Sequence, residues 1–277
     1  MKIIIPTEDG ERITATAFGN ELKDSGVIII SPAMGVPQTF YRHMAAHFAD
    51  SGYSVITFDY TGIGDSPLNK PETCTLFNWG SRDLNSVIDY CQEKYPGKDL
   101  FLIGHSVAGQ IFPFAQKRNS ITSAYFIASQ NVSIANWSGV YKLQVFIFWY
   151  LIVPVFNNLY NGLPGFALGG NQKIPKRIVQ DWAKWGRSTT GAPGHFAEGE
   201  KMYAETIVPV KFVSFDDDRL LAPRIAVEKL FESYGSTRRK HEHIIPMEMG
   251  VKSIGHFGYF RTSMQKQWED IHKWFQE

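Results

Sequence analysis

Short apolar runs that alternate with helical patterns constrain the fold of this 277-residue chain most strongly. We predict buried strands at residues 27–30, 54–58, 100–103, 124–127, 210–214 and 243–247. Helices are predicted at residues 40–50, 82–93, 108–117, 224–234 and 264–275. Alternating polarity at 12–18, after a turn at Asp9-Gly10, also predicts an N-terminal hairpin with residues 2–6. This alternation is typical of an α/β fold with a mostly parallel, doubly wound sheet.

The alternation stops between residues 131 and 206, where the chain is rich in aromatic residues and shows no clear strand. An insertion of this size between two core strands predicts a helical lid. Residues 1–130 and 207–277 would then form the α/β core, and 131–206 the lid. The longest apolar run, Val145 to Phe156, is shorter than the ~20 residues that a membrane-spanning helix needs. We expect it to be buried, to face a ligand or to rest on a membrane surface.

Composition excludes several classes of function. A net charge of +1 gives no electrostatic basis for binding nucleic acid or an anionic membrane. Two cysteines, Cys74 and Cys91, are too few for a disulfide scaffold or a zinc cage. His43 and His47 have helical spacing but no third ligand nearby, so no metal site and no cofactor are expected. The N-terminus lacks a signal-peptide pattern, and a cytoplasmic location is expected.

The segment Gly104-His105-Ser106-Val107-Ala108-Gly109 follows directly on a predicted strand. A strand, a turn of small residues and a helix are the context in which a serine is exposed as a nucleophile. In the usual motif, the second residue after the serine is glycine. Here that residue is Ala108, and the glycine follows as Gly109. Ser106 is therefore the candidate nucleophile, and it needs a general base.

His256 lies in Gly255-His256-Phe257-Gly258, after the last predicted strand. Loops at the carboxyl ends of parallel strands share one edge of a sheet, which favours His256 as the base for Ser106. The orienting carboxylate is expected within Asp216-Asp217-Asp218, at the end of another strand. We favour Asp218, and Asp217 remains the alternative. The chain order serine, aspartate, histidine fits a nucleophile-elbow enzyme.

Charge that develops on a carbonyl oxygen requires hydrogen-bond donors aimed at it. The backbone N–H of Val107, at the start of the predicted helix, is one candidate donor. The loop after the strand at 27–30, Ser31 to Pro37, should supply the other, and the N–H of Met34 is our candidate.

These motifs give the chain a resemblance to the α/β-hydrolase superfamily over nearly its whole length. Asp59-Tyr60-Thr61-Gly62-Ile63-Gly64-Asp65-Ser66 is similar to a turn of that superfamily, and 208–223 and 254–261 resemble its acid and histidine segments. The chain looks most like a poorly characterised bacterial group related to serine aminopeptidase-like and monoglyceride-lipase-like enzymes. The resemblance implies a triad of Ser106, Asp218 and His256, with Met34 and Val107 as oxyanion donors. Phe215 replaces the usual glycine before the acids. One extra residue separates Asp218 from Pro223, which leaves the choice between Asp217 and Asp218 open.

The expected function is hydrolysis of an ester-like bond by a serine hydrolase, through an acyl-enzyme. The aromatic insertion favours a small substrate with an apolar acyl or aryl group. Contact of the lid with a membrane is conceivable but is not expected. The alternatives are an acyltransferase or thioesterase that uses the same triad, and a non-catalytic binding protein of the same fold.

Overall fold

The computed structural model describes residues 1–19, 25–168 and 172–277. Its main sheet has eight strands, and a separate pair of two-residue strands lies apart from it. In chain order, the strands are β1 (Lys2–Pro6), β2 (Arg12–Phe18), β3 (Val27–Ser31), β4 (Ser54–Phe58), β5 (Leu100–His105), β6 (Ser123–Ile127), β7 (Gly162–Leu163), β8 (Ile174–Pro175), β9 (Val210–Phe215) and β10 (Arg239–Ile244).

The main sheet has the strand order β1-β2-β4-β3-β5-β6-β9-β10. Strand β2 is antiparallel to both β1 and β4. All other neighbouring strands of the main sheet are parallel. The central strands β3, β4, β5, β6 and β9 are buried along their whole length. The mostly parallel, doubly wound sheet predicted from the sequence is therefore confirmed.

Helices cover the sheet and fill the segment between β6 and β9. They are α1 (Arg42–Asp50), α2 (Leu76–Asn78), α3 (Asn85–Lys94), α4 (Val107–Ile111), α5 (Gly139–Ile147), α6 (Val153–Leu159), α7 (Lys176–Arg187), α8 (Gly199–Ala204), α9 (Arg224–Ser233), α10 (Gly255–Gly258) and α11 (Glu269–Gln276). Two π-helical segments, Trp79–Leu84 and Phe148–Ile152, join α2 to α3 and α5 to α6. Such segments hold one extra residue in a turn.

Several elements differ from the sequence-based prediction. The helix predicted at 264–275 is a 3₁₀ segment, Thr262–Trp268, followed by α11. The insertion, in which the sequence predicts no clear strand, contains the two-residue strands β7 and β8. The helix predicted at 108–117 is α4, which ends at Ile111 and continues only as a 3₁₀ turn at Phe112–Phe114. Pro113 lacks an N–H, so it cannot continue the α-helical hydrogen bonding. The strand predicted at 243–247 is β10, four residues earlier. Because β10 is the edge strand, its first residues are polar and exposed, and they lack the apolar signal of a central strand.

Residues 131–206 contain α5 to α8 and the short antiparallel pair β7 and β8. Segments α5 and α6 and the π turn between them form one helix, Gly139–Leu159, of 21 residues. This helix is longer than the apolar run seen in the sequence. By length and hydropathy it could cross a membrane, and 17% of its most apolar window is buried.

Candidate active site

The turn between β5 and α4 places Ser106 in an unusual backbone conformation. Its φ is 54° and its ψ is −109°, a region that residues with a Cβ rarely occupy. Such a conformation costs of order 1–3 kcal/mol and persists only where the surroundings fix it. The N–H of Ser106 donates to the carbonyl of Ile127 at 2.9 Å, which ties the turn to the neighbouring strand.

Close packing explains the small residues on either side of Ser106. A Cβ at Gly104 would lie 2.6 Å from the Phe126 ring and 3.1 Å from the Cβ of Ala108. A Cβ at Gly109 would lie 2.7 Å from the Cβ of Ser129. Glycine at 104 therefore leaves room for alanine at 108, the position at which the motif departs from the usual pattern.

His256 and Asp218 form a buried pair. Nδ1 of His256 lies 2.6 Å from Oδ2 of Asp218, and the other carboxylate oxygen accepts from the N–H of Ala222 at 3.2 Å. An ionised carboxylate can only accept, so Nδ1 of His256 donates in this hydrogen bond, and the neutral imidazole then has its lone pair on Nε2. Ser106 and His256 line the same cavity, and each is 8% exposed.

Asp217 contacts the segment 253–258, which includes α10 and which we call the histidine loop, but it does not contact the imidazole of His256. It accepts hydrogen bonds from the Ser253 hydroxyl at 2.8 Å and from the N–H groups of Ile254 at 2.8 Å and Gly255 at 2.9 Å. Partial burial alone would raise the pKa of Asp217, but these hydrogen bonds outweigh it and lower the pKa. Asp217 therefore holds the loop in which His256 lies.

Three hydrogen bonds connect the candidate donor loop, Ser31 to Pro37, to the histidine loop by way of Tyr41 and His105. The N–H of Ala33 donates to the Tyr41 hydroxyl at 2.8 Å, and that hydroxyl lies 2.9 Å from Nδ1 of His105. Nε2 of His105 lies 2.9 Å from the carbonyl of His256. Because a carbonyl accepts, Nε2–H donates to it and Tyr41 donates to Nδ1. Burial, together with the nearby His256, lowers the pKa of His105 well below its ordinary value.

The loop that carries Met34 is also anchored to the turn at Asp59. Asp59 accepts from the N–H of Gln38 at 2.7 Å and from its side-chain amide at 3.0 Å. A Cβ at Gly64 would lie 2.4 Å from the Asp59 carboxylate, so this turn requires glycine. Within the described residues, the N–H groups of Met34 and Val107 donate to no protein acceptor. Both are candidate donors to an oxygen atom of a bound molecule.

A cavity of about 950 Å³ opens onto Ser106 and His256. Core residues such as Met34 and Phe257 form one part of its wall. The insertion forms another part, mainly through the inward side of the helix Gly139–Leu159 and through α7. The contributing side chains there include Val145, Phe148, Trp149, Ile152 and Trp182. The wall is predominantly apolar. Its polar members include the buried Gln130 and the exposed Arg42, Gln144 and Arg261.

Sequence reasoning missed the roles of Tyr41 and His105. His105 precedes Ser106 in the motif, so its position gave a signal, but nothing in the sequence paired it with Tyr41, 64 residues earlier. The structure brings His256 and Asp218 together, and it places Asp217 on the neighbouring backbone. In the part of the chain that the structure describes, His43 and His47 belong to no cluster of three metal-ligating side chains.

The sheet order and the strand–turn–helix at Ser106 define an α/β-hydrolase fold. The chain belongs to the serine aminopeptidase S33 family of serine hydrolases, whose model matches residues 23–247. That match includes Ser106 and Asp218 and ends before His256. No curated protein sequence matches the chain.

Solved structures share the fold at low sequence identity. The chain is 14% identical to DcsB, solved in complex with a substrate analogue, with a TM-score of 0.70 over 100% of this chain and 98% of that one. A soluble variant of monoglyceride lipase from Saccharomyces cerevisiae, also bound to a substrate analogue, is 14% identical, with a TM-score of 0.69 over 100% and 94%. Est1E from Butyrivibrio proteoclasticus, with ferulic acid bound, is 16% identical, with a TM-score of 0.63 over 99% and 100%.

Proposed function

We propose that the protein hydrolyses an ester-like bond of a substrate with an apolar acyl or aryl group, with Ser106 as the nucleophile. The observation that carries this proposal is the arrangement of three groups. Ser106 lies on a strained turn, His256 lines the same cavity, and Asp218 accepts a hydrogen bond from Nδ1 of His256. Membership of a serine hydrolase family supports the same reading.

The reaction proceeds in two steps. Nε2 of His256 accepts the proton of the Ser106 hydroxyl as its oxygen forms a bond to the substrate carbonyl carbon. The N–H groups of Met34 and Val107 stabilise the negative charge on the carbonyl oxygen. His256 then donates its proton to the leaving oxygen, which departs as an alcohol and leaves an acyl-enzyme on Ser106. Water, deprotonated by the same histidine, releases the acid and restores the serine.

The apolar wall of the cavity supports the choice of substrate. Apolar groups leave water most favourably when a pocket of matching character receives them. Residues 131–206 act as a lid in this proposal, because side chains such as Val145 and Trp182 lie in the same cavity as Ser106. The yeast monoglyceride lipase with its substrate analogue and Est1E with ferulic acid are similar folds with lipid-related or aromatic ligands.

Hydrolysis of p-nitrophenyl esters of increasing acyl length tests the proposal. We expect kcat/KM to rise from acetate to octanoate, because each added methylene can contribute up to about tenfold in an apolar site. Ser106→Ala should abolish the reaction with every ester. Val145→Trp should lower kcat/KM for octanoate more than for acetate, because it fills the cavity.

The control for cavity filling is Phe146→Trp. Phe146 neighbours Val145 on the same helix but is 49% exposed and lies outside the cavity wall. It should leave the preference for acyl length unchanged. A rate that falls steadily from acetate to octanoate in the unmodified protein would contradict the apolar substrate, and hydrolysis that survives Ser106→Ala would contradict the nucleophile.

A further inference from the structure

The helix Gly139–Leu159 has an outward side that no described part of the chain covers. Six side chains on it are between 39% and 74% exposed. We call these six the outer face: Val140, Leu143, Ile147, Leu151, Val155 and Leu159. Phe146 and Tyr150 lie beside the outer face, about half exposed and stacked on each other with ring centroids 4.6 Å apart.

This exposure is concentrated in one place. Among the described residues, eighteen large hydrophobic side chains are exposed, and ten of them lie between residues 140 and 166. Scattered apolar residues are normal on protein surfaces, but a contiguous apolar patch marks a site of interaction. The outer face is therefore a docking surface, and its surroundings indicate what docks there.

The spacing of the outer face fits the local helix geometry. Its last five residues recur every four positions, from Leu143 to Leu159, whereas an α-helix turns once in 3.6 residues. The π-helical turn Phe148–Ile152 takes up an extra residue and so keeps the stripe on one side. The opposite side follows the same spacing, with Val145, Trp149, Val153 and Asn157 buried.

The stretch of chain that carries the outer face has an excess of basic residues. Residues 139–187 contain six basic residues and one acidic residue, which leaves 22 basic and 26 acidic residues in the rest of the chain. The six are Lys142, Lys173, Lys176, Arg177, Lys184 and Arg187. The guanidinium of Arg187 lies over the exposed Tyr150 ring at 5.3 Å, directly beside the outer face. The net charge of +1 for the whole chain conceals this local excess of positive charge.

We propose that the outer face docks the protein on the surface of a lipid bilayer that contains anionic headgroups. Apolar side chains on the outer face would enter the boundary between headgroups and acyl chains, and the basic residues of the same stretch would bind lipid phosphates. A second copy of the chain is the less favourable occupant, because it would bring two positively charged segments together.

Packing on the inward side indicates that the helix lies on the bilayer and does not span it. Trp149 contacts Trp182 of α7, with ring centroids 4.7 Å apart, and Val145 and Phe148 line the cavity. A spanning orientation would break these contacts and expose the wall of the cavity. This docking goes beyond the proposed function, since it holds whether or not Ser106 reacts.

Sedimentation of the full chain with vesicles tests the proposal. We expect binding to vesicles of phosphatidylcholine mixed with phosphatidylglycerol, and weaker binding to phosphatidylcholine alone or at high salt. The double variant Leu143→Gln, Leu151→Gln should lower the partition coefficient by about tenfold or more, because two exposed apolar side chains that would enter the bilayer become polar. Ser106→Ala should bind as well as the unmodified protein, which separates docking from catalysis.

The matched control is the double variant Ile225→Gln, Met247→Gln. These side chains are 52% and 75% exposed and lie outside the insertion, so binding should not change. Circular dichroism and hydrolysis of a short soluble ester show that the variants fold. The proposal is overturned if the unmodified protein does not sediment with the mixed vesicles, or if the outer-face variant binds equally well. It is also overturned if the protein is a dimer that the outer-face variant converts to a monomer.

Discussion

Asp217 and Asp218 are neighbours in the chain, but they bind different parts of the segment that carries His256. Asp218 accepts from the imidazole, whereas Asp217 accepts from the backbone N–H groups of Ile254 and Gly255. Strand β9 ends at Phe215, and the turn that follows aims consecutive side chains in different directions. Two adjacent carboxylates, of which the sequence favoured Asp218 and left Asp217 as the alternative, therefore have distinct partners in the structure.

We expect Asp218→Asn to lower kcat by about a thousandfold or more. An uncharged amide neither fixes the proton on Nδ1 of His256 nor stabilises the imidazolium that forms during the reaction. Asp217→Asn should lower kcat by only about tenfold or less, because the amide oxygen still accepts from part of the loop. Steady-state kinetics on one soluble ester compare the two variants. A larger loss from Asp217→Asn would reverse the assignment of the acid.

Asp217 should also make stability depend on pH. Its pKa is lower in the folded protein than in the unfolded chain, so between the two values the unfolded chain binds more protons. The contribution of Asp217 to the free energy of unfolding is therefore complete above about pH 4, the ordinary pKa of aspartate. It is lost as the pH falls through the pKa of Asp217 in the folded protein. Urea unfolding from acid to neutral pH checks this. The difference in free energy of unfolding between the unmodified protein and Asp217→Asn should shrink as the pH falls, and a constant difference would contradict it.

The Tyr41 hydroxyl joins the donor loop to His105 by two hydrogen bonds. Tyr41→Phe leaves the N–H of Ala33 and Nδ1 of His105 without partners, which should lower the free energy of unfolding by about 1–3 kcal/mol. It should also lower kcat more than it changes KM, since the donor loop and the histidine loop lose their connection through His105. Kinetics and urea unfolding give both values.

Tyr60→Phe is the matched control for Tyr41→Phe. The Tyr60 hydroxyl is equally buried and pairs with the Ser31 hydroxyl at 2.5 Å, without contact to His105. We expect a comparable loss of stability and a smaller loss of kcat. Equal losses of kcat in the two variants would mean that Tyr41 acts through stability alone.

At the scale of elements, the β5–α4 turn depends on the absence of side chains. Gly104→Ala should destabilise the protein by about 1–3 kcal/mol, because its Cβ would overlap the Phe126 ring. Ala108→Gly should cost only about 0.5–1 kcal/mol, the ordinary cost of glycine inside a helix. Urea unfolding measures both, and equal effects would show that the packing at Gly104 is not limiting.

The elements that the sequence predicted best are the buried central strands. Strands β3, β4 and β5 begin at the predicted residues, because a strand buried on both faces carries few polar residues. Strand β10 was misplaced because an edge strand is half exposed and starts with Arg239 and Lys240. The turn at Ser106 was predictable from its small residues, whereas the contact between Tyr41 and His105 depends on how distant segments pack.

At the scale of the whole molecule, charge and apolar surface are segregated in a way that composition does not reveal. The net charge of +1 sums a basic segment at 139–187 and an acidic remainder. The apolar run Val145–Phe156 underestimates a helix that extends from Gly139 to Leu159. One side of that helix lines the cavity above Ser106, and its outer face is left exposed. The insertion thus separates the candidate site from the surface that we propose docks on lipid.

The central claim is that Ser106 is the nucleophile of a serine hydrolase. Reaction of the folded protein with a fluorophosphonate probe, followed by mass spectrometry of its peptides, tests this most directly. We predict one covalent adduct, on Ser106, that is absent from Ser106→Ala and much slower to form in Asp218→Asn. No adduct on the unmodified protein, or an equal adduct on Ser106→Ala, would contradict the claim.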